Sequence, residues 1–429
     1  MYTFKVVIHP NNIQTTKLKL IMNKCIECQN IVYDYLDNLL TLSKEAKDKT
    51  GEYIPFPKCG EVRRWFTLQK KIKDDEVIKL RIGLTKKEQL EKHLYFLFSD
   101  CTNDALKQTV KDTYASFIRF LKGISKYPVR KKYNSKHKSF YIDPYKIKFS
   151  ESRVKLEKIA NNTKKKNTKL NYIKLSEKNR IPIDCNYYNP RVSYDGYRFY
   201  LTVGVSDEYA PKKYIEKKNN LSKTIDSIGI DVNINSIVTA TIEHELKTYD
   251  TFINDSRYNQ LTKRLKREQK ALSRKYELSK KKNGKFIKSK NFIKNKKRIN
   301  KLYFKLSCIK EESRNNIIND ILINNSPKQI VIEDLDITSM HDNKRLSPFI
   351  QAISFYKFLN KVKEKCNFYN IRLIKANRYF PSSKMCSYCK NIKEDLELNN
   401  RIYKCDKCGL VIGRDINAAI NLARYRNKE

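Results

Sequence analysis

Three carboxylates in this 429-residue chain stand where a charge is hard to place. Asp231 interrupts the apolar run Ile228-Gly-Ile-Asp231-Val-Asn-Ile-Asn-Ser-Ile-Val, which otherwise reads as a buried strand passing into a second one. Glu333 repeats the situation in Ile330-Val-Ile-Glu333-Asp-Leu-Asp-Ile, and Asp415 opens a helical stretch, Asp415-Ile-Asn-Ala-Ala-Ile-Asn-Leu-Ala. A charge within such a strand is costly unless something positive meets it. Taken singly, Asp415 reads as a helix cap, and Asp231 or Glu333 as a carboxylate facing water at a strand end. Taken together they meet a known chemical requirement. Hard oxygen ligands from strand ends and a helix hold Mg²⁺, which activates water and stabilises a leaving 3′ oxygen in phosphodiester hydrolysis, without histidine.

A second constellation is Cys386-Ser-Tyr-Cys389 and Cys405-Asp-Lys-Cys408, with 15 residues between the pairs. This spacing fits a tetrahedral Zn²⁺ ribbon in which each pair forms a knuckle and Gly409 supplies the turn after the second; a redox dithiol pair is the alternative. Thiolate–zinc bonds would replace a hydrophobic core in so short a segment. The other C-x2-C, Cys25 to Cys28, lacks a second pair and falls in a helical stretch, which points to core packing.

These groups need elements to carry them. Residues 1–10 read as a strand, 17–47 as a helix, and 62–121 as further helical patterns. Between 127 and 205 the apolar period shifts towards two, with Asp195-Gly196 predicting a hairpin. This divides the first half into a helical domain, 11–126, set within a β-domain formed by 1–10 and 127–205, and 206–226 reads as a polar linker. The segment Arg257 to Lys310 holds 21 Lys or Arg and two acidic residues, Glu268 and Glu277. Leu261, Leu265 and Leu272, then Ile299, Leu302, Leu306 and Ile309, predict two helices turning about Asn283-Gly284. A basic solvated face is the simple reading; the shortage of acidic partners favours phosphate contact.

Charge supports that choice. Ninety Lys plus Arg against 46 Asp plus Glu leave a formal net charge of +44, which calls for a polyanion. No run of about 18 apolar residues suits a membrane span, and no signal sequence is evident at the N-terminus. The expectation is a cytoplasmic, nucleoid-associated protein that is neither secreted nor bound to a membrane, with cysteines kept reduced.

The motifs resemble, in order, those of the RuvC-like nuclease of TnpB proteins, which insertion sequences encode and which are ancestral to type V CRISPR effectors. They are Gly229-Ile-Asp231, Ile330-Val-Ile-Glu333-Asp-Leu, Arg378-Tyr-Phe-Pro-Ser-Ser-Lys384-Met-Cys386-Ser-Tyr-Cys389, Tyr403-Lys-Cys405-Asp-Lys-Cys408-Gly409 and Arg414-Asp415-Ile-Asn417-Ala-Ala. The match is dense from about 227 to 423 and weaker across 1–205. The resemblance implies an α+β multidomain protein with an N-terminal β-barrel-like (wedge) domain and an inserted helical domain. An RNase H-like (RuvC) α/β nuclease domain follows over 227–385 and 409–429, interrupted by the basic helices (257–325) and the zinc ribbon (386–408).

The resemblance further implies that Asp231, Glu333 and Asp415 bind Mg²⁺ and that Arg401 reaches the scissile strand. A guide RNA would select double-stranded target DNA next to a short motif read by the protein, which would act as a monomer. Departures from the family pattern are Asn233 in place of glycine, Asn377 in place of aspartate, and Gly413 before Arg414. The expected function is an RNA-guided, Mg²⁺-dependent DNA endonuclease. The alternatives are a compact type V CRISPR effector, a transposase that joins strands, and a catalytically silent RNA-guided repressor.

Overall fold

The computed structural model describes residues 1–68, 101–157, 170–211, 216, 223–233, 236–334, 355–396 and 400–426. The helical pattern across 69–100 and much of the 206–226 linker lie outside the described residues. The chain divides into two compact units, Met1–Pro211 and Lys212–Glu429. Among the described residues no helix is long and apolar enough to cross a membrane.

In the first unit β1 (Tyr2–His9) alternates buried Phe4, Val6 and Ile8 with outward residues, and helix α1 (Asn12–Thr50) follows at once. A capping box between Asn11 and Gln14 starts α1, and Gly51, at φ +78°, stops it by donating to the Lys47 carbonyl at 2.8 Å. Helices α2 (Cys59–Leu68) and α3 (Asn103–Leu121) come next. Then follow β2 (Lys138–Tyr141), β3 (Lys148–Phe149), β4 (Arg153–Lys155), β5 (Tyr172–Leu175), β6 (Tyr188–Tyr194) and β7 (Phe199–Val205). The β6–β7 hairpin turns where Asp195 Oδ1 accepts the Tyr197 and Arg198 N–H groups, both at 2.7 Å, with Gly196 at φ +94°.

The strands form one antiparallel sheet in the order β2-β6-β7-β1-β5-β4-β3. Its terminal strands, β2 and β3, are not paired with each other among the described residues, so the sheet is open where a barrel-like domain was expected. Strands β3 and β4 are two and three residues long, too short to continue a closing ladder. The helical section is also not separate from the sheet. Leu18, Met22 and Leu36 of α1 and Val110 and Phe117 of α3 share one core with Phe4, Phe140, Val192 and Leu201.

The second unit begins with β8 (Ile225–Val232), whose first two residues fall in the stretch read as linker, followed by β9 (Ser236–Thr241) and β10 (Leu246–Asp250) in an antiparallel meander. Two long helices, α4 (Ser256–Asn283) and α5 (Lys290–Asn319), leave the sheet and return. Strand β11 (Pro327–Glu333) then lies parallel to β8. Helix α6 (Phe355–Tyr369) leads to β12 (Arg372–Ala376), parallel to β11, giving the order β10-β9-β8-β11-β12. A short hairpin of β13 (Ile402–Lys404) and β14 (Val411–Gly413) precedes the last described helix, α7 (Arg414–Ala423).

The two faces of this sheet are covered differently. Ile228, Ile230, Ile330 and Ile332 pack with Ile317 and Ile318 of α5 and Phe358 and Val362 of α6. On the other face, Val238 and Ala240 meet Ala419 and Ile420 of α7, and Val331 and Ile374 meet Leu422.

Candidate active site

Strand alternation decides where the first two carboxylates go. β8 and β11 are in register up to Ile230↔Ile332, so Asp231 and Glu333, the next residue of each strand, stand side by side at the strands' carboxyl ends. Because Ile230 and Ile332 point at α5 and α6, Asp231 and Glu333 point at α7. Gly229, on that same face, lets the helix come close: a β-carbon there would lie 2.1 Å from the Ala419 carbonyl oxygen and 2.3 Å from the Ala423 nitrogen. Asp415 sits one turn before Ala419 on α7, which brings it towards Asp231. Its side chain does not cap the helix. The N-cap is Gly413, with no side-chain cap hydrogen bond, and Asp415 occupies the first turn.

Asp231 is 7% exposed. Burial is the main force raising its carboxyl pKa, Glu333 and Asp415 add repulsion, and Asn233 and Arg414 oppose them; the net effect pushes it up to about 7. Asn233 acts through a hydrogen bond from Nδ2 to Asp231 Oδ2 at 2.8 Å. Glu333 accepts a hydrogen bond from the Ser382 hydroxyl. The adjacent Asp334 pairs with Lys375 at 3.0 Å. A buried acid beside two others holds more negative charge than its protein surroundings offset, which suits a hard divalent cation.

The four cysteines converge. Their sulfur atoms all lie within 4.8 Å of one another, with Cys386 to Cys408 at 3.6 Å and Cys389 to Cys405 at 3.5 Å. The edge of a tetrahedron with zinc–sulfur bonds of about 2.3 Å is about 3.8 Å, so the donor set fits Zn²⁺. Among the described residues the three carboxylates do not close to this extent. The N–H groups of Cys408 and Lys407 hold the Cys405 thiol down to about 6, supplying a first thiolate. Gly409, at φ +73°, donates to the Cys405 carbonyl at 3.0 Å and closes the second knuckle. β14 pairs with β13, so the ribbon's hairpin runs on to Gly413, beyond the expected limit at 408.

Sequence reasoning missed what joins these two groups. Asn417 and Asn421, one turn apart on α7, are fully buried or nearly so and bind the main chain entering the first knuckle. Asn417 Nδ2 donates to the Met385 carbonyl at 2.8 Å, and Asn417 Oδ1 accepts the Ser387 N–H at 2.9 Å. Asn421 Nδ2 donates to the Ser382 and Met385 carbonyls at 2.9 and 2.6 Å. The detectable signal was two amides four residues apart within an otherwise apolar helix. Arg401 is exposed, and its carbonyl accepts the Arg414 N–H at 2.9 Å, so its main chain lies beside the residue preceding Asp415.

The basic helices pack through Leu265, Ile299, Leu302 and Leu306. Buried Asn295 pins their register, donating to Glu268 and accepting from Lys275 at 3.2 Å. Lys263, Arg267, Lys270, Lys297 and Lys301 remain exposed.

Fold and site together define a mixed α/β protein whose cysteine ribbon is stitched to the helix bearing Asp415, an acid whose charge reaches Asp231. Residues 211–344 match the family described as "Probable transposase", and residues 355–422 match "Cas12f1-like, TNB domain". A Streptomyces pristinaespiralis protein named "Putative RNA-guided DNA endonuclease" is 26% identical over 85% of this chain and 80% of its own length. The "TnpB-like protein L79" of Acanthamoeba polyphaga mimivirus is 35% identical over 18% of this chain and 14% of its own length. The solved structure "Cryo-EM structure of the Cas12f1-sgRNA-target DNA complex" aligns over 99% of this chain and 98% of that chain, at 16% identity and a TM-score of 0.33. The two family models and these relatives make the chain similar to TnpB-type proteins, over residues 211–344 and 355–422 by the models and over 85% of its length by the Streptomyces relative.

Proposed function

We propose that this protein is an RNA-guided DNA endonuclease of the TnpB type, with an RNase H-like (RuvC) site formed by Asp231, Glu333 and Asp415. The observation that carries the reading is the gathering of these acids under α7, where burial and mutual repulsion leave Asp231 needing a cation. Bound Mg²⁺ would supply a polarised water and charge neutralisation at the cleaved phosphodiester. Asp231 and Glu333 would hold it from the sheet and Asp415 from the helix, while Arg401 contacts the scissile strand. Zn²⁺ on Cys386, Cys389, Cys405 and Cys408 fixes the ribbon.

The exposed basic faces of α4 and α5 would contact a guide RNA paired with one strand of a double-stranded target, mainly through phosphates. The protein would also read a short motif beside the target, act as a monomer, and work in the cytoplasm at the nucleoid. Sequencing RNA that copurifies with the protein, then supplying a matching duplex with Mg²⁺, tests the reading. A defined RNA, and cleavage that Asp231→Ala abolishes, are expected. Absence of any defined RNA together with undiminished cleavage by D231A would overturn it. The likeness of residues 355–422 to the Cas12f1-like domain favours a second reading, a compact CRISPR effector, which a guide segment copied from a CRISPR array would identify.

A further inference from the structure

Glu333 ends its strand half-buried, on a side chain with three rotatable bonds. The Ser382 hydroxyl restrains it by donating to Oε1, which leaves Oε2 for another partner. Ser382 is itself 3% exposed and fixed through its main chain: its N–H donates to the Phe380 carbonyl at 2.8 Å and its carbonyl accepts from Asn421. Asn421 has little freedom to turn away. Its amide nitrogen also serves the Met385 carbonyl, and its oxygen accepts from Lys390 Nζ at 3.4 Å. Asn421 lies on the helix that bears Asp415, so a chain of hydrogen bonds runs from that helix through Ser382 to Glu333.

We propose that Ser382 is a positioning residue that holds the Glu333 carboxylate in register with Asp415 through Asn421. The inference rests on the reading above that Glu333 is a ligand of a divalent cation. Partners of this kind orient ligands without touching the metal, and their loss typically weakens metal binding about 10–100-fold. Because Ser382 precedes Cys386 by four residues, the ribbon and the acid site share this segment of chain.

The test uses the full-length chain without RNA, titrated with Mn²⁺ alone and followed by the electron paramagnetic resonance signal of the free ion. Ser382→Ala is expected to weaken Mn²⁺ binding about 10-fold, with zinc content and thermal midpoint unchanged. Ser382→Thr, which keeps the hydroxyl, is expected to restore most of the affinity. In the RNA-bound protein, the Mg²⁺ concentration giving half-maximal cleavage should rise in parallel, more than the rate at saturating Mg²⁺ falls. If S382A does not fold or loses zinc, Ser382→Cys, a near isostere and poor donor, carries the same comparison. Wild-type Mn²⁺ affinity in a folded S382A or S382C protein overturns the inference. D231A and Glu333→Ala keep the two failures apart: if both bind Mn²⁺ like wild type, the site reading itself falls, whereas if both lose it and S382A does not, only the role of Ser382 falls.

Discussion

Asn233 donates a 2.8 Å hydrogen bond to Asp231, and it is a local brake on the rise in the pKa of that acid. Burial and the neighbouring acids still push Asp231 from 3.8 up to about 7. In the unfolded chain it ionises near 3.8, so between that pH and about 7 folding takes up a proton and stability falls as pH rises. The gap corresponds to an upper bound of about 4 kcal/mol. Without divalent cations, Asp231→Asn should therefore raise the urea midpoint at pH 8, the gain fading towards pH 4, while abolishing cleavage. Chemical denaturation at the two pH values checks this. Asn233→Gly should move the acidic limb of the cleavage profile to higher pH.

Gly229→Ala tests the seat of α7. Its β-carbon would meet helix backbone at 2.1 and 2.3 Å, which no rotamer change can relieve. Shifting the helix should cost about 3 kcal/mol or more and carry Asp415 away from Asp231. The expected result is a lower thermal midpoint and loss of cleavage beyond what the stability change explains; wild-type stability would contradict the packing.

Zinc removal should act on the acid site as well as the ribbon. Elemental analysis is expected to find one zinc per chain. Chelation or Cys405→Ser would free the Ser382–Ser387 segment and leave Asn417 and Asn421 buried without partners, at about 1–3 kcal/mol each. Cleavage should fall with zinc content, and Zn²⁺ rather than added Mg²⁺ should restore the chelated protein.

The basic helices should act through charge. Replacing exposed Lys263, Arg267 and Lys270 of α4 by Ala should weaken binding to an RNA–DNA hybrid at 50 mM salt and flatten its salt dependence. Each lost phosphate contact is expected to lower the slope of log K against log salt by about 0.7–0.9. The thermal midpoint should stay near wild type, because the pair is held by Leu265, Ile299, Leu302 and Leu306 on the opposite faces. An unchanged slope would place the nucleic acid elsewhere.

Local chemistry was legible in the sequence. Cysteine spacing gave the ribbon, because two knuckles need only adjacent residues and one loop. Alternating residues about Asp195-Gly196 gave the β6–β7 hairpin, and leucine spacing gave the α4–α5 pair, since neighbours close in the chain satisfy both. An acid within an apolar strand was itself a sign that Asp231 is placed at a cost. Tertiary structure decided what depends on distant segments: that β1 lies at the centre of a sheet with β5 and β7, that this sheet is open among the described residues and shares its core with α1 and α3, and that Gly229 admits the α7 backbone. It also decided the partners of Ser382, Asn417 and Asn421. A hydroxyl or amide has no preferred partner until folding buries it and removes water as the alternative, so its role is fixed by the surrounding structure rather than by its neighbours in sequence.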